Sequence, residues 1–208
     1  VNYNPTIHHR RSIRLKGYDY SQAGAYFITI CTHNRQPFFG NIVRPGFAPA
    51  QLSELAPPAQ MLLNEYGRIA HEQWLQIPTR FDNIELDAFV VMPNHIHGIL
   101  IIHTPVGAGF TPAPIGHEGQ PDSGQPQGLP LRKTVGDIVG AYKSIVANEC
   151  LKIFKSNNKT MGKFWQRNYW EHIIRDEKSF LEIAKYIDNN PAKWQEDRLF
   201  MEKYYDSP

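Results

Sequence analysis

Cysteine is scarce. Only Cys31 and Cys150 occur in 208 residues, with no metal-type spacing. That excludes a zinc ribbon or a disulfide-stapled scaffold, and a reducing, cytoplasmic setting is the expectation. Long hydrophobic runs are also missing. No stretch is long enough to span a bilayer, and the polar start does not read as a signal peptide, so no membrane partner is expected. Neither sign of charge dominates: the formal net charge is +2, which by itself does not announce nucleic acid. There is no P-loop, no Gly-rich dinucleotide fingerprint and no Ser-His-Asp arrangement, so no small-molecule cofactor is expected. No internal repeat is visible.

What is present suffices for one domain, or one domain with a large insertion. The apolar fraction is 41%, with four Trp, ten Tyr and eleven Phe to fill a core. Charge is informative locally. The run His8-His9-Arg10-Arg11-Ser12-Ile13-Arg14-Leu15-Lys16 carries four fixed positive charges and no acid. Lys152, Lys155, Lys159, Lys163 and Arg167 form a second basic stretch without an acid. Such clusters suit a phosphate backbone, and equally a solvated face.

The stretch that organises the chain is Val91-Met92-Pro93-Asn94-His95-Ile96-His97-Gly98-Ile99-Leu100. Side chains on a strand alternate, so His95 and His97 share one face while Ile96 points to the core. Two strand rises separate the histidines by roughly 6.6 Å, close enough for two imidazoles to converge on one metal ion. The bland alternative is a pair of core-edge histidines hydrogen-bonded to backbone.

In chain order, residues 1–24 read as an irregular basic arm. Ala25 to Thr32 is aromatic and β-branched and reads as a strand. Phe38 to Pro58 is a proline-containing connection with a short strand over Gly40 to Val43. Ala59 to Ile77 reads as a helix on the spacing of Leu62, Tyr66, Ile69, Ala70, Trp74 and Ile77, ended by Pro78. Ile84 to Met92 and His95 to His103 form two strands joined at Pro93-Asn94. Residues 105–131 are rich in Gly, Pro, Gln and Ser and read as a mobile insertion. Thr134-Val135-Gly136-Asp137 resembles a capping box and opens a helix. Phe164 to Ile174 is a strand candidate, and Asp176 caps a last helix to about Asn190. This order predicts an α+β fold: a ferredoxin-like, split βαβ antiparallel sheet with helices on one face, plus the C-terminal helix. The chain divides into the arm at 1–24, a body at 25–194 and a tail at 195–208.

The last helix has two stripes. Phe180, Ile183, Ala184 and Ile187 should face the sheet. Glu182, Tyr186 and Asn190 form a polar stripe, since residues four apart are neighbours on a helix. Pro191 disfavours continuation at Asn190. Taken alone, Tyr186 is most simply a surface residue of an amphipathic helix.

The pairing of a His-apolar-His strand with a Tyr-x-x-x-Asn-Pro helix resembles the HUH single-tyrosine transposases of the IS200-like class, in particular the REP-associated tyrosine transposase branch. The matching runs are Val91 to Gly98, Phe164-Trp165-Gln166-Arg167-Asn168-Tyr169-Trp170-Glu171-His172-Ile173-Ile174-Arg175-Asp176, and Tyr186-Ile187-Asp188-Asn189-Asn190-Pro191-Ala192-Lys193. The resemblance implies that His95, His97 and Asn190 bind a divalent cation, Mg²⁺ or Mn²⁺, and that Tyr186 is the nucleophile. It implies single-stranded or hairpin DNA as partner, with Arg10, Arg11, Arg14, Lys16, Lys163, Arg167 and His172 as candidate DNA contacts. The implied chemistry is cleavage and strand transfer through a 5′-phosphotyrosine intermediate, which conserves bond energy that water attack would release. The insertion lies outside the family core. A water-using phosphodiesterase and a non-catalytic nucleic-acid module on the same fold are the competing readings. Monomer and dimer are both compatible with the sequence.

Overall fold

The computed structural model describes residues 15, 17–43, 58–104 and 133–205. The arm residues Arg10, Arg11, Arg14 and Lys16, and the insertion at 105–131, lie outside them.

Four strands make the main sheet: β1 (Gly24–Cys31), β4 (Ile84–Val91), β5 (His95–Ile102) and β6 (Trp170–Ile174), in the order β4-β5-β1-β6 and antiparallel throughout. Numbered among themselves in chain order, these strands lie 2-3-1-4, the ferredoxin-like order expected from the sequence. A separate two-stranded ribbon pairs β2 (Gly40–Val43) with β3 (Gln60–Leu63). The helices are α1 (Glu65–Leu75), the short α2 (Ile77–Arg80), α3 (Val135–Ser156) and α4 (Glu177–Asn189).

Strand alternation gives the sheet two different faces. Tyr26, Ile28 and Ile30 on β1, with Ile96, Leu100 and Ile102 on β5, pack against Ala70 and Trp74 of α1 and Ile138, Tyr142 and Val146 of α3. The Tyr142 hydroxyl donates to the Ala70 carbonyl at 2.8 Å, so this buried phenol is satisfied and ties α3 to α1. Gly98 is required here, because a Cβ would run into the Trp74 indole. On the other face Phe27, Val90, Ile99 and Ile174 meet Phe180, Ile183, Ala184 and Ile187 of α4. That is the apolar stripe read from the sequence. An irregularity between Leu86 and Phe89 shifts the alternation of β4, which brings both residues to the core face.

Both predicted caps form. Thr134 and Asp137 exchange side-chain and backbone bonds at the start of α3, and Asp176 Oδ1 accepts from the Ser179 amide at 2.8 Å at the start of α4.

Three expectations are corrected. The helix predicted over Ala59 to Ile77 begins only at Glu65. Asn64 caps it by accepting from the Gly67 amide at 3.0 Å, and the residues before it pair with β2. Leu62, counted in the helical periodicity, is 62% exposed on that ribbon. Pro78 does not end a helix run but sits in the first turn of α2, where the missing N–H costs nothing. The strand predicted over Phe164 to Ile174 is regular only over Trp170–Ile174. Its aromatic first half serves the core instead. Phe164 is buried and stacks on Phe38 with ring centroids 5.0 Å apart, and Trp165 makes an isolated bridge to Thr32.

Candidate active site

His95 and His97 sit at the start of β5, facing α4, with Cys31 and Thr29 of β1 as cross-strand partners. The turn before them is clamped: the Thr32 amide donates to Asn94 O at 2.9 Å, and the Phe39 amide to Pro93 O at 3.0 Å. Asn94 then sets the chemistry of His95. Its Nδ2 donates to the carbonyls of Arg35 at 3.2 Å and Leu199 at 2.8 Å, which fixes the amide orientation. Its Oδ1, which can only accept, lies 2.8 Å from His95 Nδ1. The hydrogen of neutral His95 is therefore on Nδ1, and Nε2 presents a lone pair. His97 Nδ1 bonds Thr29 Oγ1 at 2.8 Å, and the Ile28 backbone acts as acceptor for the same ring. That leaves His97 Nε2 facing the helix.

α4 brings Tyr186 and Asn190 onto this spot from one side. The Tyr186 hydroxyl is 3.2 Å from His97 Nε2 and 3.2 Å from Asp197 Oδ2. Its ring packs on His97 and edge-on to Phe27, with centroids 5.3 and 6.2 Å away, and the residue stays 42% exposed. Asn190, the C-cap of α4, is 2% exposed, and its Nδ2 donates to Asp197 Oδ2 at 2.8 Å.

Asp197 is the residue that sequence reasoning missed. It follows a 3-10 turn, Trp194–Glu196, inside the stretch read as a tail. Trp194 and Leu199 are buried on either side and anchor it. Its Oδ1 accepts from the Leu199 amide at 2.6 Å, which leaves Oδ2 aimed at Tyr186 and Asn190. No helical or strand spacing relates it to the histidines. The available signal was a lone acid bracketed by large apolar residues just past the Asn-Pro.

One ligand atom from each of His95, His97 and Asp197 lies within 4.8 Å of the others, so the group could hold a metal ion. A donor set fits one chemically. His95 Nε2 and Asn190 Oδ1 are buried polar atoms with no hydrogen-bond partner, an arrangement that folded proteins otherwise avoid. Two neutral imidazoles with a carboxylate or amide oxygen suit Mn²⁺, and Mg²⁺ with fewer protein nitrogens.

Burial holds the His95 imidazole well below its ordinary pKa, with His97 and Arg35 adding to the effect. Burial likewise pushes His97 down to about 4, against the pull of Asp197. Both rings are thus neutral and able to donate lone pairs. Burial, then the Asp197 charge, pushes the Tyr186 phenol up to about 12.

The site opens into a groove of about 690 Å³ whose walls include Phe27, Lys185, Tyr186, Lys193 and Arg198. Of the other predicted DNA contacts, His172 is exposed on β6 opposite Phe27, so it shares the sheet face of His97 at some remove. Lys163 and Arg167 are exposed in the irregular stretch before β6 and take no part in the cluster. No helix among the described residues is long and apolar enough to cross a membrane.

No protein-family model matches the chain. It is 41% identical over 203 residues to an uncharacterised protein of Haemophilus influenzae, covering 97% of this chain and 99% of that one. It is also 41% identical over 46 residues to a Haemophilus influenzae protein provisionally named a REP-associated tyrosine transposase, covering 22% of this chain and 26% of that one. Among solved structures it is similar to a REP-associated tyrosine transposase bound to a REP hairpin, at 17% identity and a TM-score of 0.47, over 88% of this chain and 74% of that one. It is similar as well to a Deinococcus radiodurans protein provisionally described as a transposase, at 19% identity and a TM-score of 0.41, over 86% of this chain and 97% of that one. The chain belongs to the same family as the Haemophilus influenzae protein that it matches over nearly its whole length.

Proposed function

We propose that this protein cuts single-stranded DNA beside a hairpin and transfers the strand, using Tyr186 as nucleophile and a divalent cation as cofactor. The observation that carries the reading is the 3.2 Å approach of the Tyr186 hydroxyl to both His97 Nε2 and Asp197 Oδ2. A surface tyrosine of an amphipathic helix has no need of such neighbours.

His95, His97 and Asn190 are the residues that would hold Mg²⁺ or Mn²⁺, with the Asp197 carboxylate beside them. When bound, the cation supplies Lewis acidity to the phosphoryl oxygens and offsets the Asp197 charge that opposes ionisation of the phenol. The protein residues do the rest. Phe27 and His97 fix the Tyr186 ring. Asp197 Oδ2 accepts the phenolic proton as Tyr186 Oη attacks phosphorus. The P–O3′ bond breaks, a 5′-phosphotyrosine forms, and the departing oxygen takes a proton to become a free 3′ hydroxyl. Rejoining is the same displacement run with another 3′ hydroxyl. The hairpin substrate is the class implied by the sequence resemblance, and Lys185, Lys193 and Arg198 in the groove suit its backbone.

The test is incubation with end-labelled single-stranded hairpin DNAs and Mn²⁺ or Mg²⁺, resolved under denaturing conditions. The expected result is a protein–DNA adduct that chelator prevents. Cleavage to a free 5′ phosphate without any adduct would instead favour the water-using phosphodiesterase, and binding without cleavage the non-catalytic module.

A further inference from the structure

Behind His95 lies a second cavity, of about 400 Å³, that the proposed chemistry does not use. The Trp194 ring is the partition. It packs on His95 with centroids 5.8 Å apart, and it also lines the cavity. Phe200 stands edge-on to Trp194 at 5.3 Å, and Tyr205 stacks on Phe200 at 5.2 Å while remaining 38% exposed. The amides of Asn41, from the ribbon, and Gln195 complete the polar part of the wall. Lys193 and Glu196 line both this cavity and the groove that holds Tyr186, so the two spaces share a wall.

Each feature suits one kind of occupant. Aromatic faces take a flat, weakly hydrated ring, and side-chain amides pair with the donors and acceptors on its edge. Trp194 is 4% exposed, and its Nε1–H has the Tyr205 hydroxyl as its neighbour. A lysine on the shared wall suits a phosphate between two nucleotides, and Glu196 beside it limits how much unspecific anion binding that wall gives.

We infer that this cavity is a nucleobase subsite, which takes one base of single-stranded DNA flanking the phosphate presented to Tyr186. The inference rests on the function proposed above and adds a specificity element to it. The ribbon thereby gains a role: it supplies Asn41 to a reading pocket. The base is held by stacking on Tyr205 and by its edge on the amides, while the backbone passes Lys193 into the groove.

The experiment uses the full chain at one fixed ionic strength, since phosphate contacts are salt-dependent. Single-stranded oligonucleotides carrying one abasic position, walked along the sequence, are titrated by fluorescence anisotropy against the unaltered protein, Tyr205→Ala and Asn41→Ala. Stacking of one base contributes about 1–3 kcal/mol, roughly five- to more than a hundred-fold in affinity. One position should therefore weaken binding by that factor when made abasic. Tyr205→Ala should weaken the intact oligonucleotide by a similar factor and leave the oligonucleotide abasic at that position unchanged. Asn41→Ala should flatten the preference among the four bases there. Equal weakening of intact and abasic strands by Tyr205→Ala, with adduct formation at Tyr186 intact, overturns the subsite and leaves the proposed function standing. Failure to bind any single-stranded DNA overturns both.

Discussion

The two faces of the central sheet are built from alternate residues of the same strands, yet they do different work. On the face covered by α1 and α3, Ile96, Leu100 and Ile102 pack into a large apolar cluster. Among the described residues there, Trp74 Nε1 is a buried donor without a partner. On the face covered by α4, the apolar cluster around Ile99 and Ile187 is smaller and stops short of the strand end. Beyond it the residues are His97, His95, Asn190 and Asp197, and two unpartnered atoms, His95 Nε2 and Asn190 Oδ1, belong to the same group. The first face supplies the free energy that lets the second hold desolvated polar groups in one geometry. Ile96, between the two histidines, is the point where the difference can be broken.

The largest effect is expected on the polar face. His95→Ala or His97→Ala should reduce metal-dependent DNA cleavage below detection while most DNA binding remains, because phosphate contacts supply much of the affinity. Full activity of both single variants in metal-replete buffer would remove the metal assignment.

Ile96→Ala should do the reverse. It deletes a fully buried side chain from the main cluster, and a cost of about 2–5 kcal/mol in chemical denaturation is expected. His97→Ala should cost less, because the vacated space borders the open groove and can take water. The opposite ranking would mean that the α4 face, not the α1–α3 face, carries the fold.

The neutral histidines give the metal-free protein a pH signature. An unfolded His titrates near 6.5, whereas burial holds folded His97 at about 4. The unfolded state therefore binds more protons in this interval. The stability that goes with a neutral His97 is fully present above pH 6.5 and is lost as pH falls through about 4, by roughly 3 kcal/mol for this residue. Urea midpoints measured across that range in chelator should fall with pH, and His97→Gln should flatten the curve. An unchanged slope in that variant would show that another group dominates.

The smallest effect sharpens the account of Asn94. Asn94→Ala removes the acceptor that keeps the hydrogen of His95 on Nδ1 and the donor that holds the Leu199 carbonyl. Loss of such an outer partner typically weakens metal affinity about 10–100-fold. Calorimetric Mn²⁺ titration should read that loss, and ¹⁵N spectra of metal-free protein should show His95 as a mixture of tautomers. A single unchanged tautomer would mean that Asn94 only shapes the turn.

Sequence alone showed the face on which His95 and His97 lie, because strand alternation is a local property that Ile96 and the flanking aliphatic run make plain. The two stripes of α4 were legible for the same reason. Asn64 was not, since an amide can sit inside a helix or cap one, and only the pairing of Gln60–Leu63 with β2 decides. Phe164 and Trp165 look like strand residues because aromatic content is shared by strands and irregular core segments. Asp197 was invisible for a deeper reason. Its place depends on a turn anchored by two buried residues, and on contacts to side chains that are near in space but follow no period in the sequence.

The central claim is that Tyr186, held between His97 and Asp197, is the nucleophile. It is tested most directly by trapping protein on single-stranded hairpin DNA with Mn²⁺, digesting both polymers, and sequencing the modified peptide by mass spectrometry. The account predicts a nucleotide joined through its 5′ phosphate to Tyr186, and no adduct from Tyr186→Phe, which removes one oxygen and keeps the ring against Phe27. An adduct on another tyrosine such as Tyr142 or Tyr169, or undiminished strand transfer by Tyr186→Phe, would contradict it.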